Sequence, residues 1–401
     1  MADMIGWSCQ GLVALTGLLL ATEAHAQAAP ADAANESALS WEATLSVDTL
    51  RASRPALATV LSHVDLRLGV DAERLFGWQG TTLRIEALAD HGGKPNGKVG
   101  SLQGISNIEV RQNALRLYST WAERELSPGV TALVGLYDLN SEFYATDASA
   151  QLIHPAFGIG TEFGQTGRNG PSIFPTVSFG ARLKAQARSG FYAQGAVVDA
   201  VPGDPDHGGR TVVRLSRGEG ALLAMEAGWQ ERSPEGTAAA GRWGVGVWGY
   251  TRAAERIDGA GAARNAGAYG IAQGVLLDSP RPRTLGFVRA GLASGRVNAV
   301  DAAFDAGLLI DRPWAESGPA SVTAGVALAR LGRDHRSAQA LAGNALRAVE
   351  ATLEFGARWR PWRGLAVQPL VQRIWNVAGR PGTAATVVGA RWVWTSGDAG
   401  E

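Results

Sequence analysis

The stretch HVDLRLGVD, residues 63 to 71, alternates without a break: His63, Asp65, Arg67, Gly69 and Asp71 on one side, Val64, Leu66, Leu68 and Val70 on the other. Successive side chains of a β-strand point to opposite faces, so one face of this strand carries charges of both signs and the other is aliphatic. Two architectures accept such a strand. One is a soluble sheet with a single wet face; the other is a barrel with lipid outside and water inside. The rest of the chain has to decide between them.

The same period of two recurs throughout. Trp41, Ala43, Leu45 and Val47 alternate with Glu42, Thr44, Ser46 and Asp48, and Leu83, Ile85 and Ala87 with Arg84, Glu86 and a less polar Leu88. Val177, Phe179, Ala181 and Leu183 alternate with Thr176, Ser178, Gly180, Arg182 and Lys184; Phe355, Ala357 and Trp359 alternate with Glu354, Gly356 and Arg358. A buried unpaired charge costs several kcal/mol, which predicts that the mid-strand charges face water. Trp41, Trp121, Trp229, Trp359, Trp375, Trp392 and Trp394 stand near strand ends on the apolar side, as expected of aromatic girdles at two membrane interfaces. A sandwich would bury them between sheets. Strands of ~10 residues with alternating short and long connections fit about 16 strands in a chain of this length. GGKPNGKVG (92 to 100), GRNGPS (167 to 172), VPGDPDHGG (201 to 209) and DSPRPR (278 to 283) supply turn chemistry between the strand-like runs. SAQALAGNALRAVE, residues 337 to 350, breaks the alternation and reads as a short loop helix.

The amino terminus points to export. Residues 11 to 24, GLVALTGLLLATEA, form an apolar run shorter than a spanning helix needs, and Ala24, His25, Ala26 make a small-x-small cleavage pattern. Residues 1 to 26 therefore read as a signal peptide, although Asp3 is present and no Lys or Arg precedes the apolar run; residues 27 to 39 read as a flexible leader and 40 to 401 as the barrel. Cys9, the only cysteine, lies inside the signal, so the remaining chain can use neither disulfides nor thiolate chemistry. Removing Asp3 and Glu23 leaves 37 basic residues against 35 acidic ones, which implies no nucleic-acid partner.

Several phrases resemble the carbohydrate-selective porins, the OprB family of bacterial outer membranes: LYDLNSEFYATDASA (136 to 150), GIGTEFGQTGRNGPSIFP (158 to 175), GFYAQGAVVDAVPGDPD (190 to 206) and VQPLVQRIWNVAGR (367 to 380). The resemblance implies an all-β fold: a transmembrane antiparallel β-barrel of about 16 strands with short periplasmic turns, longer extracellular loops and an inward-folded constriction loop. It also implies passive diffusion of glucose and similar sugars through a polar constriction, in a monomer or a homo-oligomer. Lipid and lipopolysaccharide of the outer membrane and the barrel-assembly machinery are the implied partners, and no cofactor is. Three positions depart from the family: Leu370 replaces a polar or acidic residue, Val377 replaces proline, and the chain ends on TSGDAGE rather than on an aromatic residue.

A pore needs no catalytic motif; it needs groups that replace water around the solute and then release it. Carboxylates and guanidinium forks hydrogen-bond sugar hydroxyls, and aromatic rings cover the apolar ring face. Strand parity turns inward Asp65, Arg67, Arg84, Glu86, Arg182, Trp248, Glu354, Arg358 and Gln372, and the first four form the preferred cluster because consecutive strands place them side by side. Asp138, Asn140, Glu142 and Arg168 are loop candidates for narrowing the channel. GVGVWG, 244 to 249, has the glycine spacing of a dinucleotide loop but lies within an alternating strand, where lumen-facing glycine is the better reading. Five histidines beyond the signal show no metal-ligand spacing. Three alternatives remain: a porin of the same family passing other small polar solutes, an outer-membrane barrel hydrolase, and a secreted β-sandwich. Ser62 and His63 point to opposite faces, which counts against the hydrolase.

Overall fold

The computed structural model describes residues 37–213, 215, 218–231, 241–277, 283–311 and 320–397. The expected signal peptide and most of the leader lie outside them. Sixteen strands close into one antiparallel barrel in sequence order, with β1 pairing β18. They are β1 Leu39–Ser53, β2 Ala56–Asp71, β3 Thr81–Gly92, β4 Ala114–Ser127, β5 Val130–Tyr137, β6 Ser178–Gln186, β7 Phe191–Asp199, β8 Ala221–Gln230 and β9 Arg242–Tyr250. After a small hairpin, β10 Ala254–Glu255 with β11 Ala262–Ala263, follow β12 Ala266–Leu277, β13 Arg283–Ala293, β14 Val300–Asp311, β15 Ser321–Leu331, β16 Val349–Trp362, β17 Leu365–Trp375 and β18 Ala384–Gly397. The seam runs from Glu42 opposite Gly397 to Ala52 opposite Val387, so no strand edge is left open. The helix expected at 337 to 350 spans Arg333–Leu341; Gly343 lies in the left-handed region just beyond it, and Val349 already belongs to β16.

β2 itself decides between the two architectures. Leu66 is 40% exposed on the outer surface, whereas Asp65 is buried on the lumen side. Outward rows elsewhere are equally apolar: Leu183, Val197, Leu223, Met225, Val245 and Val247 are all exposed. Placing a charge in such a row tests this directly. Met225→Arg, at the middle of β8, should cost about 2–4 kcal/mol of barrel stability in lipid, read as a lowered urea midpoint in vesicles; Gln79→Arg, on a connection, should not.

The barrel has two unlike rims. Connections 72–80, 128–129, 187–190 and 363–364 share a rim with the start of β1 and the end of β18; segments 93–113, 138–177, 200–220 and 332–348 leave from the other. The girdle expectation needs two corrections. Trp41, Trp78, Trp229, Trp243, Trp359, Trp362, Trp392 and Trp394 all sit at the turn rim, and Trp375 alone of the described outward tryptophans is at the loop rim. Trp121 is not outward at all. Ile85 pairs Thr120 while Ala87 pairs Leu117, so Tyr118 and Ser119 together oppose Glu86 in a β-bulge. The extra residue reverses the parity of β4 beyond it and turns Trp121 and Glu123 into the lumen.

The lumen rows are less polar than alternation suggests, because two long segments fold inside. Val99, Ile105 and Ile108 of 93–113 and Ile153 of 138–177 bury against the lumen-facing Leu50, Leu61, Leu370, Ile374 and Val387. Leu370 and Val377, two of the three departures from the family pattern, both belong to this covered patch. Phe157, Leu152 and Ala156 meet Leu285, Phe287, Leu309 and Ala327 on the far wall. Leu88 is covered in the same way, with Tyr118, Leu136 and Val177.

Candidate functional site

Segments 138–177 and 93–113 are held by side chains that the strands aim inward. Glu354 accepts the backbone N–H groups of Ile153 and His154, both at 2.8 Å, and Gln372 donates to Ile105 O at 2.9 Å. Glu226 accepts Tyr144 N at 2.9 Å and the hydroxyls of Tyr192 and Tyr269, each at 2.8 Å. Arg289, fully buried, donates to Gly158 O at 2.9 Å, Tyr144 O at 3.3 Å and Ala156 O, and pairs with Asp305 at 3.0 Å. Glu354, Glu226 and Arg289 thus face a docked chain rather than open water. Burial is affordable there because the backbone amides and carbonyls of the loop satisfy them. Rings add to the hold: Tyr144 stacks on Tyr269 with centroids 4.1 Å apart, and Phe163 on Trp248 at 4.6 Å. Tyr144 adopts φ 57°, a left-handed backbone that a non-glycine residue keeps only when its surroundings fix it.

What remains open next to this docked segment is a polar cavity of about 510 Å³. On one side stand Arg67, Arg84 and Glu86 with Trp121; on the other, the shelf Asp138–Glu142; Arg182 closes the end. Most of its charges are matched. Arg67 reaches Asp65 at 2.6 Å, Glu86 at 3.1 Å and Glu42 at 3.2 Å. Arg182 forks onto Glu142 at 2.8 and 3.1 Å and touches Glu123 at 2.8 Å, while Lys184 adds a third donor to Glu142 at 3.0 Å. Burial works against the Glu142 charge, but Lys184 and Arg182 outweigh it and hold the carboxyl below its ordinary range. Asp138 is pushed the other way, by burial, to about 6; it accepts the Tyr118 hydroxyl at 2.8 Å and Asn140 N at 2.8 Å. Arg84 has neither a hydrogen-bond nor an ionic partner among the described residues.

The structure therefore gathers Arg67, Arg84, Glu86, Arg182 and Asp138 around one space, with Asp65 behind Arg67. It does not bring the other candidates there. Trp248 is 3% exposed beneath Phe163, and Glu354 and Gln372 are fully buried anchors. Arg358 reaches only Gln151, at 3.4 Å, and Arg168 stands out in solvent 3.8 Å from Glu219. Trp121, Glu123 and Tyr137 line the space without having been singled out. Trp121 and Glu123 are hidden by the bulge; only a two-residue stretch, Tyr118 and Ser119, that breaks strict alternation signals it. Among the described residues no group of three His, Cys, Asp or Glu side chains is placed to hold a metal ion.

A family model described as "Carbohydrate-selective porin, OprB family" matches residues 57–395. Among solved structures, the chain is similar to the high-pH structure of Pseudomonas putida OprB, at 17% identity over 89% of this chain and 94% of that one, with a TM-score of 0.75. The low-pH structure of the same protein aligns at 14% identity over 89% and 92% of the two chains, with a TM-score of 0.54. At these identities the likeness is one of fold. No curated protein matches.

Proposed function

The chain belongs to the OprB family of carbohydrate-selective porins, and from that premise we propose that hexoses cross its barrel by passive diffusion between the β2–β4 wall and the Asp138–Glu142 shelf. It is an outer-membrane β-barrel porin, a channel rather than an enzyme, and carbohydrates are its substrates. The observation that carries the path is the juxtaposition itself: guanidinium and carboxylate groups on both sides of a cavity of about 510 Å³, inside the ~300–1,000 Å³ range of small-molecule sites. Paired ions of both signs can lend hydrogen bonds to hydroxyls without holding any one solute tightly, which suits a path that must also release. In this reading residues 1–26 direct export and are removed, the turn rim faces the periplasm, and the assembly machinery and lipopolysaccharide meet the barrel during and after insertion.

Planar-bilayer conductance tests the path. Replacing Arg67 and Arg84 together by alanine leaves Glu42, Asp65 and Glu86 without their cation, so the pore should become more cation-selective. The concentration of glucose giving half block should rise about tenfold, the loss expected for hydrogen bonds to a charged group. Heat-resistant migration of the barrel should be unchanged. Unaltered selectivity and sugar block would remove both arginines from the path.

A further inference from the structure

We propose that Arg84 and Trp121 act as a pair that makes this channel prefer ring-closed sugars, with the indole covering the C–H face of a pyranose and the guanidinium taking its hydroxyls. The inference rests on the sugar path proposed above and adds the residues that discriminate within it. Four observations carry it. First, the two are direct partners in the β3–β4 register and both line the cavity. Second, the β-bulge opposite Glu86 is what turns Trp121 inward; without it the ring would lie in lipid. Third, Trp121 packs on the lumen cluster that includes Leu133 and Tyr137 and is only half-buried there. Its neighbour across β4–β5 is Gly135, where a Cβ would meet Thr120 O at 2.2 Å and the Trp121 Cα at 2.6 Å, so no side chain stands opposite Trp121 on that strand. Fourth, the other polar groups of the cavity are spent on one another. Arg67 holds three carboxylates, Arg182 holds Glu123 and Glu142, Tyr118 bonds Asp138, and Tyr137 bonds Glu142. Arg84 and the Trp121 indole N–H have no partner among the described residues, which leaves them free for a solute.

The chemistry follows from shape. A pyranose has a flat apolar face made of its axial C–H groups and a rim of equatorial hydroxyls, and an amphipathic ring beside a planar donor fork matches both at once. A linear polyol of the same carbon number carries a comparable set of hydroxyls but has no preformed face, and it must give up internal rotations to mimic one. The pair therefore separates cyclic from acyclic solutes of equal size and polarity, which paired ions alone cannot do.

The test is block of potassium chloride current in planar bilayers by glucose and by glucitol, with the full-length barrel. The wild-type channel should be half-blocked by glucose at up to about a tenfold lower concentration than by glucitol, the size of one aromatic contact. Trp121→Leu keeps an apolar side chain but removes the ring; it should equalise the two solutes. Trp121→Phe should retain most of the preference, and Arg84→Gln should weaken block by both solutes together. A Trp121→Leu channel that still prefers glucose would overturn the pairing while leaving the sugar path standing. A wild-type channel that neither solute blocks would overturn the path, and the pairing with it. Heat-resistant migration of each variant confirms the barrel before its current is read.

Discussion

Arg289→Met should open the channel several-fold in single-channel conductance without unfolding it. The guanidinium is fully buried, bonds three carbonyls of segment 138–177, pairs with Asp305 and lies 5.5 Å over the Tyr144 ring. Methionine fills much of the volume but leaves the carbonyls without donors and Asp305 as a lone buried charge, a loss of about 3–5 kcal/mol. The strand ladder of the barrel is untouched, so the cost falls on the docking of the segment. Its release removes the shelf opposite Arg67 and Arg84, and sugar block should disappear with it. Replacing Asp305 by leucine in the same channel should restore part of the docking, because no unpaired charge remains. Conductance unchanged in Arg289→Met would assign the hold to Glu226, Glu354 and the apolar contacts around Phe157 and Phe287.

The second large effect is one of pH. Glu162 sits on the short helix Thr161–Gly164 and is 1% exposed; a Cβ on Gly291 would fall 1.7 Å from its Oε1, so only glycine admits it there. Tyr144 donates to it at 3.0 Å, and Arg289 and Asp305 are the charged groups facing it. Burial raises its pKa from 4.5 to about 7. A docked segment therefore holds a proton that a released one gives up. The contribution to docking is fully present below about 4.5 and is lost progressively as pH rises to about 7. The difference is roughly 3 kcal/mol at about 1.4 kcal/mol per pKa unit. Asp138, raised to about 6 by burial, works in the same direction; His154, lowered by burial to about 3, works against both below its ordinary 6.5. Glu162→Gln isolates the first term, since an amide copies the neutral acid. The ratio of constricted to open dwell times in the wild-type channel should fall by up to about a hundredfold relative to Glu162→Gln between pH 5 and pH 8. Parallel pH profiles of the two channels would discard the Glu162 contribution to docking.

How much of this could be read from residues alone follows from what alternation encodes. Parity tells which face a side chain occupies, and it set Asp65, Arg67, Arg84 and Glu86 on the lumen side of two strands that pair because they are consecutive. It does not tell what lies on that face. Parity turns Glu354, Gln372 and Trp248 inward, yet 138–177 covers Glu354 and Trp248, 93–113 covers Gln372, and all three become anchors. Leu88 and Leu370 looked out of place in polar rows for the same reason, as their apolar partners come from chain distant in sequence. Trp121 was lost differently, because a bulge is a property of two strands in register and one strand carries little sign of it.

Of the described outward tryptophans all but Trp375 gather on one mouth, and indoles settle where ester carbonyls meet hydrocarbon. Such a collar fastens the molecule to a single leaflet. Where the bilayer thins or swells, the mismatch is taken up at the opposite mouth, held among the described residues by Trp375 alone, while the collared mouth keeps its depth.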